Sequence, residues 1–195
     1  YGTVEDPFIP AELCFGARGR FFARSLDIDM KLLGSCMVAA AQHKGAAIVE
    51  VLVNCVIFND GVHKGVADRA TREERSIVLR HGEKMIFGKD KNKGIVLDGL
   101  RLKAVTIGED GYTLDDVLTH DAHEEDPTLH TMLAMMGTND DMPVAMGVIR
   151  DVAGISYDEA VTQQIEEVKA QKPGIRKLED VLLKDAYWEV KAEDL

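Results

Sequence analysis

The first sixty residues alternate between segments of helical periodicity and segments that are almost continuously apolar. Apolar positions at helical spacing predict a short helix at residues 10–16 and a longer one at residues 30–43, for which two preceding aspartates offer capping oxygens. Each helix precedes a short apolar segment, and these segments predict strands at residues 20–24 and 46–53. This alternation is typical of an α/β fold with a parallel sheet.

A cysteine lies at the end of the second predicted strand. Residues 46–53 are nearly all apolar, which predicts a strand covered on both faces, and Cys55 follows just before the turn signal Asn59-Asp60-Gly61. Ligands of open α/β sheets gather at the carboxyl ends of strands, so Cys55 is the best placed of the three cysteines to bind a cofactor or metal. Spacing alone still favours a packed position for Cys55. Cys14 and Cys36 lie on apolar helical faces and are interpreted as packing residues.

Beyond Gly61 the pattern changes to short segments with hairpin chemistry. Short β segments are predicted at residues 76–80, 84–88 and 94–102. The pattern after them predicts a helix at 127–136, a strand at 144–150 and a helix at 157–172 capped by Ser156. We therefore expect a boundary near residues 62–75, between an α/β portion at residues 1–66 and a smaller α+β extension with hairpins at residues 67–195.

The charge of the chain argues against nucleic acid as a partner. The 195 residues include 34 acidic and 23 basic side chains, a formal net charge of −11, without a basic block that could follow a phosphate backbone. No apolar run approaches the roughly 18 residues that span a bilayer, so we expect no membrane association. Three cysteines are an odd number, which argues against a disulfide framework and favours a soluble protein of the cytoplasm.

A dense group of histidines and acids at residues 120–126 has two interpretations. His120 and His123 would share one face of a helix and, with a carboxylate, could bind a divalent metal, as in a zinc hydrolase. A solvated helix entry, whose acids favour the amide end of the helix dipole, is the favoured interpretation because spacing fixes no third ligand. We expect no stoichiometric zinc.

Three charged residues near the predicted strands also have two interpretations each. Arg18 and Arg24 could clamp a carboxylate or phosphate, but surface or subunit-contact positions are favoured for both. Glu50 is the one charged residue of the second strand, and an edge or solvated position is favoured over a buried functional acid. A methionine-rich segment at residues 132–146 could be an adaptable partner surface, although core filling is favoured.

Separated motifs along the chain point to a known family. They are GARGRFFARSLD at residues 16–27, HKGAA at 43–47, VEV at 49–51, NCVIFNDG at 54–61, THD at 119–121, EDP at 125–127 and VIRDV at 148–152. Together, and in this order, they resemble the β subunit of 2-oxoacid:ferredoxin oxidoreductases, most closely the 2-oxoglutarate type. The resemblance extends from about residue 2 to residue 152, and the final forty residues contribute least to it.

The resemblance implies a redox activity and a set of cofactors and partners. Such β subunits bind thiamine diphosphate with Mg²⁺ and a 4Fe-4S cluster, and with an α subunit they convert a 2-oxoacid and coenzyme A to acyl-CoA while reducing ferredoxin. Residues 1–66 would then be the C-terminal part of a thiamine-diphosphate-binding domain, and residues 67–195 the β-subunit extension. Cys55 matches the fourth cysteine ligand of the family cluster, which makes it the candidate cofactor-binding and metal-binding residue.

Two family motifs are absent from this sequence. The family holds diphosphate and Mg²⁺ through Gly-Asp-Gly followed by an asparagine, and it places three further cysteines near its N-terminus. We interpret both absences, together with a start at Tyr1 in a loop-like segment, as truncation, and we expect the fragment alone to be inactive, without catalytic residues of its own, and to self-associate. The alternative is a non-catalytic module that holds subunits together.

Overall fold

The computed structural model describes residues 4–5, 8–137, 141–171, 177–183 and 188–194. The chain divides into two compact units, residues 1–154 and residues 155–195. The helices described in the first unit are α1 (Pro10–Gly16), α2 (Met30–Gln42), α3 (Lys64–Ala67), α4 (Arg72–Arg75) and α5 (Thr128–Ala134), with a 3-10 turn at Leu114–Asp116. Its strands are β1 (Phe21–Leu26), β2 (Ala47–Leu52), β3 (Ser76–Leu79), β4 (Ile86–Phe87), β5 (Lys93–Asp98), β6 (Arg101–Thr106) and β7 (Val144–Asp151).

Four strands form a mixed sheet in the order β2-β1-β7-β3. β1 is parallel to β2, with Phe21 opposite Ala47, and β3 is parallel to β7, but β7 is antiparallel to β1. The predicted α/β class is confirmed, whereas the prediction of a parallel sheet is wrong at β7. β7 reaches β1 from the far end of the unit, and local periodicity does not carry the direction of such a strand.

β2 is an edge strand, and the prediction that both of its faces are covered is wrong because its residues are exposed or half-buried. Among the described residues it pairs only with β1, and its own residues are exposed or half-buried. Ile48, for example, keeps 41% of its exposure. The apolar sequence predicted coverage, but no described strand lies beside the outer edge of β2. An edge this apolar offers unpaired backbone groups to another strand.

The predicted hairpins are confirmed in part. β4, β5 and β6 form an antiparallel sheet, in which the segment 94–102 is two strands that meet at a turn through Gly99, where φ is +62°. Leu97 and Leu100 continue the apolar pattern on both sides of this turn, so the pattern alone did not mark the reversal. β3, which was predicted with the hairpins, instead joins the mixed sheet beside β7.

Alternate side chains of β1 supply the cores on the two faces of the mixed sheet. Phe22 is buried in the larger core, together with Ile77, Leu133, Ile149 and residues of the antiparallel sheet. Phe21 and Ala23 belong to a second core, where they pack with Cys36 of α2. Asp29 caps α2 by accepting a hydrogen bond from the backbone amide of Leu32 at 3.1 Å.

The second unit contains α6 (Tyr157–Gln171), α7 (Leu178–Leu182) and a 3-10 turn at Ala192–Asp194. The predicted Ser156 cap is confirmed, because its hydroxyl accepts a hydrogen bond from the Glu159 amide at 3.3 Å, while the Glu159 carboxylate accepts one from the Ser156 amide. Within the described ranges, no helix is both long enough and apolar enough to cross a membrane. The predicted division between residues 1–66 and 67–195 stays a prediction; the mixed sheet takes two strands from each side of it.

Candidate functional site

Cys55 lies on a short loop that follows the C-terminal end of β2. Asn54 links the start of this loop to its end. Its side-chain amide donates to the Asp60 carboxylate at 2.9 Å, and its side-chain carbonyl accepts from the Gly61 amide at 2.8 Å. The Asn59 amide also donates to the Cys55 carbonyl at 3.0 Å. The residues of the turn signal therefore hold the cysteine in place by local hydrogen bonds.

The loop favours the thiolate form of Cys55. The backbone amide of Phe58 first, and then those of Ile57 and Asn59, lower the pKa of this exposed thiol by hydrogen bonding. Because the thiolate is the form that binds metals and reacts as a nucleophile, a lowered pKa prepares the sulfur for either role. Because the Cys55 thiol is exposed, the packed position that spacing favoured for it is wrong. The sequence placed Cys55 at the strand end but did not reveal the amides around it.

The residues beside Cys55 form an exposed apolar surface. Val56, Ile57 and Phe58 keep 74%, 81% and 89% of their exposure, and Val53 and Ile48 extend the apolar surface back along the edge strand β2. Exposed apolar residues grouped in this way along the chain are typical of interaction surfaces. We call Ile48, Val53, Val56, Ile57 and Phe58 the edge patch.

The other two cysteines are packing residues, as predicted. Cys14 and Cys36 are both buried, and burial raises the pKa of each thiol. No group of three or more histidine, cysteine or acidic side chains that could hold a metal ion occurs in the part of the chain that the structure describes. The described residues thus fit one ligand of an iron–sulfur cluster, at Cys55, and not a complete site. Since the chain also has no Gly-Asp-Gly segment, its residues do not fit the diphosphate and Mg²⁺ of thiamine diphosphate.

The described histidines at residues 120–130 do not form one metal-binding group, although the rings of His120 and His130 lie 6.2 Å apart in the interior. His120 and His130 are buried, with His120 Nε2 at 3.0 Å from the Val148 carbonyl and His130 Nε2 at 2.7 Å from the Asp121 carbonyl. Burial lowers the pKa of both imidazoles. His123 is exposed, and its ring lies 4.3 Å from that of His81. The favoured interpretation of a solvated helix entry is therefore wrong for His120.

Arg24 and Glu50 form a buried ion pair. Their side chains keep only 6% and 17% of their exposure, and Arg24 Nε donates to Glu50 Oε2. Arg24 also donates to the carbonyls of Ala134 at 3.0 Å and Ala145 at 3.4 Å. The surface position favoured for Arg24 is wrong, and Glu50 lies on an edge strand, as favoured, but is mostly buried.

The remaining sequence candidates behave as favoured. Arg18 is exposed. Met136 is buried in the larger core, and Met146 is buried in a small cluster with Leu26 and Val66. Met132, Met135 and Met142 are half-buried, so this methionine-rich segment fills the interior more than it covers a surface.

Comparisons with known proteins show a curated relative of this chain. No model of a known protein family and no solved structure matches the chain. The 2-oxoglutarate oxidoreductase subunit KorB of Mycobacterium tuberculosis is 33% identical to it over 190 residues, which cover 97% of this chain and 50% of KorB. The chain therefore spans about half the length of this curated relative. The resemblance predicted from the motifs is confirmed: along almost its whole length, this chain is similar to a 2-oxoglutarate oxidoreductase subunit.

Proposed function

We propose that this chain is the C-terminal part of the β subunit of a 2-oxoacid:ferredoxin oxidoreductase that acts on 2-oxoglutarate. The similarity to KorB over 97% of the chain carries the proposal. The position of Cys55 supports it, because a strand-end thiol with a lowered pKa is suited to bind a metal cluster.

Within this proposal, the chain supports a cofactor site that it does not complete. Residues 1–66 would end the thiamine-diphosphate-binding domain, and residues 67–195 would form the extension of the β subunit. Cys55 would supply one thiolate to a 4Fe-4S cluster, a group that accepts and releases single electrons when bound. The backbone amides of residues 57–59 would stabilise that thiolate, and hydrogen bonds to sulfur also tune the potential of such clusters. Thiamine diphosphate and Mg²⁺ would be held by residues outside this chain.

The proposal also names the partners of the complete protein. They are an α subunit, ferredoxin, the 2-oxoacid and coenzyme A, in an oligomer of the cytoplasm. The edge patch and the unpaired edge of β2 supply a surface on which further strands of the same protein, or another subunit, would pack.

A second candidate function is a non-catalytic module that holds subunits together. The edge patch favours it, because an apolar surface next to an unpaired strand suits protein association without any redox role. In that case Cys55 would be one exposed residue of the contact. The two functions therefore differ in what Cys55 does.

Replacing Cys55 in the complete protein, produced with its α subunit, separates these two functions. For an oxidoreductase, Cys55→Ala reduces iron and sulfide content and abolishes electron transfer from 2-oxoglutarate to ferredoxin, because one of four cluster ligands is lost. The matched control is Cys36→Ala, which removes a buried thiol from the helix α2 and leaves the Cys55 loop unchanged.

The control should keep both the cluster and the activity. A Cys55→Ala protein with normal iron content and normal ferredoxin reduction would refute the cluster role and favour the module. Size-exclusion chromatography with the α subunit completes the comparison, since a module requires the assembly to depend on the edge patch. Phe58→Asp, which places a charge in that patch, would then separate the subunits while cluster content per β subunit is unchanged.

A further inference from the structure

Three arginines, which belong to the motifs at residues 16–27 and 148–152, line a pocket that the proposed function does not use. The pocket has a volume of about 450 Å³ and lies beside the C-terminal end of α1, where Arg18, Arg20 and Arg150 line it with Glu125. Small-molecule sites commonly have volumes of roughly 300 to 1,000 Å³. Three guanidinium groups against one lining carboxylate make this pocket locally positive, in a chain whose formal net charge is −11.

Arg150 is a buried cation whose described hydrogen bonds go to neutral acceptors, while the carboxylates of Glu125 and Asp126 interact with its charge without a direct hydrogen bond. Its residue keeps 5% of its exposure, and its terminal nitrogens donate to the Glu124 carbonyl at 2.8 Å, to His130 Nδ1 at 2.8 Å and to the Glu125 carbonyl at 2.9 Å. Its Nε is also buried, and it has no hydrogen-bond partner among the described residues. A buried charge with no carboxylate in direct hydrogen-bond contact and an incomplete set of hydrogen bonds is costly, and an anion bound nearby would lower that cost.

The two other arginines are held near Arg150 by the backbone that follows α1. Arg20 donates to the Ala153 carbonyl, and its Nη1 lies 3.8 Å from a carboxylate oxygen of Glu125. Arg18 is an exposed residue in the left-handed region, with φ of +61°. Residues other than glycine rarely adopt that conformation, and Arg18 adopts it in the turn from which its side chain lines the pocket.

We infer that this pocket binds the phosphate group of a small-molecule ligand. Guanidinium groups recognise phosphate and carboxylate alike through paired N–H donors. A planar carboxylate is satisfied by one such group, whereas a tetrahedral phosphate presents oxygens in several directions and can accept from more than one of the three arginines that line this pocket. The inference is independent of the oxidoreductase proposal, since it uses neither Cys55 nor the edge patch.

Titration of the complete 195-residue chain with inorganic phosphate tests this inference. The measurement is a series of two-dimensional amide NMR spectra at pH 7 and low salt, in a buffer without phosphate. We expect saturable shifts of the amides of residues 16–20. Arg18→Gln and Arg20→Gln should each weaken binding by about tenfold, the loss typical of one charge-assisted contact.

Arg69→Gln is the matched control, because Arg69 is an exposed arginine that does not line the pocket. It should change the dissociation constant by less than about twofold at the same ionic strength. Shifts that do not saturate, or an equal loss in Arg69→Gln, would overturn the inference in favour of diffuse charge attraction. Succinate that binds more tightly than phosphate would overturn it in favour of a carboxylate site. Arg18→Gln decides the test if Arg20→Gln proves unfolded by circular dichroism.

Discussion

Glu50→Gln tests whether the buried Arg24–Glu50 pair stabilises the sheet. The pair joins neighbouring positions on β1 and β2, because Arg24 lies opposite Glu50 in the parallel register. The substitution preserves the size of the side chain and removes its charge. Arg24 then remains buried with the carbonyls of Ala134 and Ala145 as its remaining acceptors.

The expected loss in the free energy of unfolding is about 3 kcal/mol. Breaking a buried ion pair by removing one partner costs roughly 3 to 5 kcal/mol, since the remaining charge is left uncompensated. The lower end of that range applies here, because the Glu50 side chain keeps 17% of its exposure and water can partly replace it. Arg24 keeps only 6% and receives little of that relief.

Urea unfolding of the 195-residue chain at pH 7, followed by far-ultraviolet circular dichroism, measures this loss. Glu83→Gln is the control, because Glu83 pairs with Arg80 at 3.7 Å while both side chains stay more than half exposed. Such surface pairs contribute less than about 1 kcal/mol. The double variant Arg24→Met with Glu50→Leu should lose less unfolding free energy than the sum of the losses in Arg24→Met alone and Glu50→Leu alone. A Glu50→Gln loss below about 1 kcal/mol, or an additive double variant, would refute the reasoning.

Two further predictions concern backbone conformation and pH. Gly147→Ala should lose about 3 kcal/mol of unfolding free energy, because φ at Gly147 is +91° and a Cβ there would lie 2.6 Å from the Leu79 carbonyl oxygen. Gly34→Ala in α2, where a Cβ meets nothing within 4 Å, should instead gain up to about 1 kcal/mol in the same urea assay, and the reverse order would contradict this account. Burial lowers the pKa of His120 and His130 in the folded chain. Below the ordinary histidine pKa of about 6.5, the unfolded chain therefore takes up protons that the folded chain does not. The stability of the folded chain should fall as the pH drops through that value. His120→Gln should make the fall between about pH 7 and pH 5 shallower, as measured by urea midpoints, and an unchanged slope would exclude His120 as a source of it.

The sequence by itself determined the features that depend on neighbouring residues. The bounds of α1 and α2, the Ser156 cap and the loop that ends in Gly61 follow from capping residues, helical spacing and turn chemistry, all of which act over a few residues. The ordered motifs also indicate a 2-oxoglutarate oxidoreductase subunit, in agreement with the similarity to KorB. Cys55 was identified in the same way, from its place after an apolar strand.

Only the tertiary structure decided the features that join distant parts of the chain. The antiparallel entry of β7 and the edge position of β2 depend on which strands meet, and a hydrophobic pattern carries no information about the neighbour of a strand. The Arg24–Glu50 pair depends on the register between β1 and β2, which places two charges opposite each other in a buried layer. Likewise, Arg18, Arg20 and Arg150 lie at one pocket because β7 returns beside β1. Charged residues read one at a time suggest a solvated surface, since the energy of burying them depends on partners that only the folded chain supplies.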